Sequence, residues 1–234
     1  AIDNISIRAE SIVGRTNVQV EEPFWFRDDF GENSLGRYVN FGYTYDAVNK
    51  RLLGNGTQSL LYLDKVKTTD TIVEMKWTPV QFGAAGLNRA FVVVGDQAQA
   101  PNQQPYKNGN RYVVFLRKES TQSTVYIERV VEGTAVNLCN YLNYAFDQGT
   151  TYNIKVDFDP ARETEQIRVY IAIDGESYPA TPTVVATDTT YTSGYPAIGY
   201  MNGDSQGAIQ YFDNLQISGT RVYQKPIHRG AMLE

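Results

Sequence analysis

Residues 152–158 read "YNIKVDF", and every second side chain is apolar. That strict period of two constrains the fold more than any other feature. Successive side chains of a strand point to opposite faces, so Tyr152, Ile154, Val156 and Phe158 share one face while Asn153, Lys155 and Asp157 share the other. Residues 167–173, "IRVYIAI", repeat the pattern, with Ile167, Val169, Ile171 and Ile173 inward and Arg168 and Tyr170 outward. Between them "DPARETEQ" supplies Asp159-Pro160, a turn start that also stops pairing because proline lacks an amide donor. The two runs therefore form a hairpin.

The same logic predicts strands at 37–46, 59–64, 71–77, 90–95, 111–118, 124–130, 197–201 and 208–218. So many short strands, spaced by Gly and Asn turn residues, predict a two-layer antiparallel β-sandwich. At 234 residues the chain fits one large all-β unit, since such sandwiches run to about 200–250 residues. The core sandwich is expected over 24–218, with an arm or strand over 1–23 and a tail over 219–234.

The arms raise a question of their own. "AIDNISI" at 1–7 echoes "YFDNLQI" at 211–217, although 24–218 already holds a full set of strands. The first copy is either the closing strand of a preceding module or a supplementary strand that pairs with an edge, of this sandwich or a neighbour's. Pairing is favoured, because an unpaired strand exposes backbone donors and acceptors. The partners so implied are copies of this chain or a neighbouring module, reached through residues 1–20. The chain begins at Ala with no signal-like segment, which suggests processing or excision from something longer. Two loops are long. Residues 95–110 are polar and turn-rich, and residues 176–197, rich in Thr and Pro, are expected to wrap a sheet edge.

Charge and cysteine usage narrow the chemistry. The net charge of −5 comes from interspersed residues with no basic block, so neither nucleic acid nor an anionic membrane surface is an expected partner. No apolar run approaches the roughly 18 residues of a membrane span, so no membrane insertion is expected. Only Cys139 and His228 are present of their kinds, which forbids an internal disulfide and makes zinc a poor fit. Cys139 lies among apolar neighbours and reads as a buried core thiol. His228 lies in the tail, away from any patterned element, so a catalytic triad is not expected on it.

Three stretches carry a family resemblance. "VEMKWTPVQFGAAGLNRAFVVVGD" (73–96), "YNIKVDFDPARETEQIRVYIAIDG" (152–175) and "YFDNLQIS" (211–218) resemble, in that order, elements of the family-sixteen glycoside hydrolases, the laminarinase and lichenase relatives. They fit laminin-G-like and other concanavalin A-like lectin modules as well. The resemblance implies a jelly roll of two curved sheets, one of them concave. The enzymes of that family carry Glu-x-Asp-x-x-Glu on the strand that here reads "NGNRYVVFLRKES", which has no carboxylate before Glu119. Two carboxylates roughly 5 Å apart are what retaining hydrolysis needs, so the chain is expected not to be an enzyme. Asp157 with Asp159, and Glu163 with Glu165, share faces but flank the Pro160 turn, where solvated acids are ordinary.

A binding surface is easier to assemble. Arg111 and Arg117 share one face of their strand, and Tyr126 and Glu128 share the outward face of the next. Together they make a mixed aromatic and charged patch that would hold a sugar by stacking and bidentate hydrogen bonds. An ordinary solvated sheet face with cross-strand ion pairs is the competing reading. The resemblance also implies a structural Ca²⁺ on the convex side, held by Asp213 and by Asp28, Asp29 and backbone oxygens around Gly31. The expected ligand residues are Asp29 and Asp213. Three functions follow: a non-catalytic carbohydrate-binding or adhesion module of an extracellular protein, a structural subunit of an extracellular filament or virion joined through its terminal strands, and, least favoured, a glycan-cleaving enzyme.

Overall fold

The computed structural model describes residues 8–12, 15–81, 87–99, 109–119, 121–202 and 207–226. Its strands, in chain order, are β1 (Arg8–Ile12), β2 (Arg15–Asp28), β3 (Tyr38–Asn40), β4 (Thr44–Asp46), β5 (Arg51–Gly54), β6 (Gln58–Leu63), β7 (Thr71–Gln81), β8 (Leu87–Asp96) and β9 (Arg111–Glu119). They continue with β10 (Ser123–Val131), β11 (Thr134–Asn137), β12 (Leu142–Asn143), β13 (Tyr152–Phe158), β14 (Ile167–Ile173), β15 (Val184–Ala186), β16 (Tyr195–Met201) and β17 (Ile209–Pro226). A single 3-10 turn at Leu35–Arg37 is the only helical element among the described residues.

Two antiparallel sheets result. One runs β1-β2-β17-β7-β13-β14-β15, with β5 on β17 and β4 on β5; the other runs β11-β10-β9-β8-β16-β6-β3, with β12 also on β10. The fold is the expected all-β sandwich of the lectin type. The hairpin at Pro160 forms as expected, with Tyr152 opposite Ile173 and Phe158 opposite Ile167. Its acids are spent on the turn: the Arg162 Nη2 donates to both Asp157 oxygens, at 2.9 and 2.7 Å, and its Nε lies 3.4 Å from Asp159.

One expected strand is divided. Residues 37–46 split into β3 and β4, which belong to different sheets. Gly42 between them has φ +127°, a conformation that glycine alone reaches without strain, and it lets the chain cross from one layer to the other. The segment 176–197 does follow an edge, laying β15 against β14 before entering β16.

The sandwich interior is the expected core. Trp77, Tyr152, Ile154, Val156 and Phe158 from one sheet meet Val92, Tyr112, Val114, Leu116 and Ile127 from the other, all buried. A second apolar cluster, not expected, lies on the opposite side of the β11-to-β3 sheet. Leu60 and Tyr62 of β6, Phe91 and Val93 of β8, Val113 and Phe115 of β9, and Ala197 and Met201 of β16 form it. Their parity places them on the outer face, yet the first six are at most 1% exposed. The central strands of that sheet, β6, β8, β9 and β16, are buried on both faces.

At the other end of the molecule the arms are continuous with the sandwich. β2 and β17 stay paired from Asp28 opposite Leu215 to Asn17 opposite Pro226, well past Ser218 where β17 leaves β7. β1 folds back on β2, Arg8 opposite Gln19 and Ile12 opposite Arg15. The repeated phrase at 1–7 and His228 lie outside the described residues.

Candidate functional site

The candidate surface is built on the outer side of β8, β9 and β10, whose register sets residues side by side in rows. Arg89, Arg117 and Thr124 form one row; Phe91, Phe115 and Tyr126 the next; Val93, Val113 and Glu128 the third; Arg111 and Val130 close the series. The four expected ligand-binding residues therefore do share one face. Their environments differ sharply.

Arg111 is fully buried. Its Nε lies 3.4 Å from the Asp96 carboxylate, itself wholly buried. Tyr62 donates its hydroxyl to the same Asp96 oxygen at 2.5 Å, and Arg111 Nη1 donates to that hydroxyl at 3.3 Å. Burial pushes the Asp96 carboxyl up, against the opposing charge of Arg111 and the Tyr62 hydrogen bond. The backbone of Gly109 sits so close to the guanidinium that a Cβ there would come within 2.2 Å of Nη2. No solvent-borne ligand reaches this side chain in the described conformation. Its neighbours make it a strut within the sheet.

Arg117 lies six residues further along β9, toward the turn into β10. Its Nη2 donates to Glu119 Oε2 at 2.5 Å, while Arg89 clasps Glu119 Oε1 with Nε at 2.9 Å and Nη2 at 2.6 Å. Burial opposes ionisation of Glu119, but the hydrogen bonds from Arg117 and Arg89 outweigh it and hold the carboxyl below the usual carboxylate range. The pinned Arg117 is partly exposed and borders a cleft of about 770 Å³, together with Gln122, Thr124, Tyr141, Asn143 and Tyr144. Thr124 Oγ1 and Arg117 Nε are buried without a hydrogen-bond partner, as are Nε and Nη2 of Arg111.

An aromatic ladder leads to this cleft from the outer cluster. Phe91 meets Phe115 edge-on at 4.9 Å, Phe115 stacks on Tyr126 at 4.5 Å and 6°, and Tyr126 meets Tyr141 at 4.5 Å. Tyr126 is only 5% exposed, whereas Tyr141 is 55% exposed. The rung that meets solvent is therefore Tyr141, which the sequence reading did not single out. It is positioned by the return of the chain along β12, where Leu142 pairs with Val125. Glu128 is half-buried on the same face. Burial pushes its carboxyl up, and the charge of Arg89 pulls the other way. Cys139 is partly buried, packed against both apolar clusters at the sheet rim: its Sγ accepts the Ile127 amide at 3.3 Å, and burial raises its thiol.

The expected metal residues lie by the other sheet, Asp213 on β17 and the exposed Asp29 just past the end of β2. β17 bulges after Asp213, with Asn214 at φ +49°. Asp213 Oδ1 accepts the Asn214 amide at 2.7 Å. Burial pushes the Asp213 carboxyl up; the Asn214 bond and Lys76 oppose this, and the Asp29 charge adds to it. Asp29 is exposed, and its Oδ1 accepts the Gly31 amide at 3.1 Å. Asp28, in contrast, is spent: Oδ1 accepts the Phe30 amide at 2.9 Å and Oδ2 the Tyr38 hydroxyl at 2.8 Å. No group of three or more His, Cys, Asp or Glu converges among the described residues. Asp29 and Asp213 would leave most of the six to eight oxygens that Ca²⁺ takes to carbonyls and water.

The architecture places the chain among lectin-like β-sandwiches. No protein-family model matches it, and no curated protein matches it in sequence. Solved structures do. The VIP36 exoplasmic/lumenal domain in its Ca²⁺/Man-bound form is 10% identical with a TM-score of 0.61, covering 88% of this chain and 91% of that one. Peanut lectin is 12% identical with a TM-score of 0.60, covering 88% and 99%. The carbohydrate-binding module CBM66 from Bacillus subtilis is 15% identical with a TM-score of 0.51, covering 79% and 93%. At such identities the likeness establishes the fold and nothing finer. No helix among the described residues is long and apolar enough to cross a membrane.

Proposed function

We propose that this chain is a non-catalytic carbohydrate-binding module of an extracellular protein, and that its glycan sits in the cleft at the β9–β10 end. The observation that carries the reading is Tyr141: a solvent-facing ring, backed by buried Tyr126, beside the pinned guanidinium of Arg117. A sugar's apolar face stacks on such a ring while its hydroxyls take hydrogen bonds from Arg117, Gln122 and Asn143. Glu128 borders the same patch as an acceptor, and Arg111 holds the sheet without touching ligand. Lectins and a carbohydrate-binding module among the similar folds support the class. Glu119, the one carboxylate on this stretch of β9, is committed to two arginines, which supports binding without cleavage. Replacing Tyr141 by Ala should lower affinity on a glycan array at least about tenfold, the loss of an interface anchor, with an unchanged melting temperature. Unchanged array binding would remove the reading.

Structural Ca²⁺ at Asp29 and Asp213 is proposed alongside. Millimolar CaCl₂ should then raise the melting temperature relative to EDTA, and Asp213→Asn should abolish the difference.

A second reading rests on the β1-β2-β17 ribbon, which outruns the sandwich. There the chain is an assembly subunit joined through β1. Light scattering of the full chain that finds only monomer at high concentration would count against it.

A further inference from the structure

We infer that the site takes the end of a glycan, or a short run of two or three sugars, and excludes a long internal stretch of polysaccharide. This rests on the carbohydrate-binding reading and goes on to say which part of the polymer is read.

The argument starts from the blocked face. A polymer that lies across a sandwich sheet runs over several strands, with sugars seated one after another on the exposed side. Here the outer side from β9 through β8 and β16 to β6 is the second apolar cluster, and its central side chains are at most 1% exposed. Three strand spacings of about 4.8 Å make that barrier roughly 14 Å wide. The polar groups at its centre, Arg111 and the Tyr62 hydroxyl, are buried with Asp96, out of reach of a sugar lying across the sheet. Val39, Cys139 and Tyr195 pack along its rim.

The open part is confined to one end. The cleft begins at Arg117, beyond the last fully buried ring of the ladder, and is walled by the turn at 121–124 and the return at 141–145. Its stacking platform is short. Phe115 and Tyr126 extend the ladder inward but are buried beneath, so the rings that line the cleft are Tyr141, 55% exposed, and the partly buried Tyr144, while Tyr195, also partly buried, stands away on β16. One or two sugars can stack, their immediate neighbours can hydrogen-bond, and further sugars must leave the surface.

The test uses the full chain and four oligosaccharide ladders, gluco-, manno-, galacto- and fructo-, each of one to six units, with titration calorimetry on the ladder that binds. Affinity should rise to the second or third unit and then gain less than about twofold per added unit. A parallel competition should show that partial hydrolysis of the corresponding polysaccharide increases inhibition per gram, because it multiplies ends. Affinity that climbs steadily through six units, or intact polymer that inhibits better than its hydrolysate, overturns the inference while leaving carbohydrate binding intact. Silence from all four ladders and their polymers removes both.

Discussion

Two arginines six residues apart on β9 share a strand, a face and a carboxylate partner each, and they have opposite fates. Arg111 with Asp96 is sealed from water, whereas Arg117 with Glu119 opens on a cleft. The difference lies in what stands beyond them. Arg111 is roofed by the Gly109 backbone and flanked by Tyr62, while Arg117 sits at the sheet end, where the chain turns. Alternation decides which face a side chain takes. Whether that face is a surface or a core depends on segments distant in sequence.

Breaking the buried pair should have the largest effect. Arg111→Ala leaves Asp96 charged and uncompensated in a dry site, a loss of about 3–5 kcal/mol, or roughly 2–4 °C of melting temperature per kcal/mol for a domain of this size. Arg117→Ala should cost under about 1 kcal/mol, because Arg89 still holds Glu119 and the site is partly solvated. Its penalty should fall on glycan affinity. Thermal melts of the two variants read this contrast directly, and equal destabilisation would mean that the two ends of β9 are not distinct.

Much of this was legible in the residues, and the rest was not for identifiable reasons. The strict alternation of "YNIKVDF" and "IRVYIAI" places β13 and β14 and their inward faces, because one side of their sheet meets solvent. "AFVVVG" and "YVVFL" are instead continuous apolar runs, the pattern of strands buried on both faces. That signal announces the outer cluster on β8 and β9, and reading those strands as half-exposed put Arg111 at a surface. Its partners Asp96 and Tyr62 come from β8 and β6, pairings that no local pattern encodes. Tyr141 was hidden differently. "NLCNYLNYAF" has no period, and the ring reaches Tyr126 only because Leu142 returns to pair with Val125. Asp213 and Asp29 were placed by resemblance, and the bulge after Asp213 in β17 has no signal in the local pattern.

The smallest effect sharpens the comparison through pH. Glu119 and Glu128 lie on neighbouring strands and are shifted in opposite directions. For Glu119, burial is outweighed by two arginines, so its folded-state carboxyl is depressed. Its stabilising contribution is complete above the ordinary carboxylate range and is lost as pH falls through the depressed value. For Glu128, burial dominates and Arg89 only partly offsets it, so the folded state holds its proton longer than the unfolded chain does. Stability from that group is full below the ordinary range and is lost as pH rises through the raised value. Melts from about pH 4 to about pH 8 should therefore separate two variants by the sign of their effect. Glu119→Gln should lower the melting temperature at neutral pH and converge on the parent in acid. Glu128→Gln should match the parent in acid and exceed it at neutral pH, where the parent carries a half-buried charge facing Tyr126 and Arg89. Parallel curves for both would show that neither carboxylate is tuned by its place on the sheet.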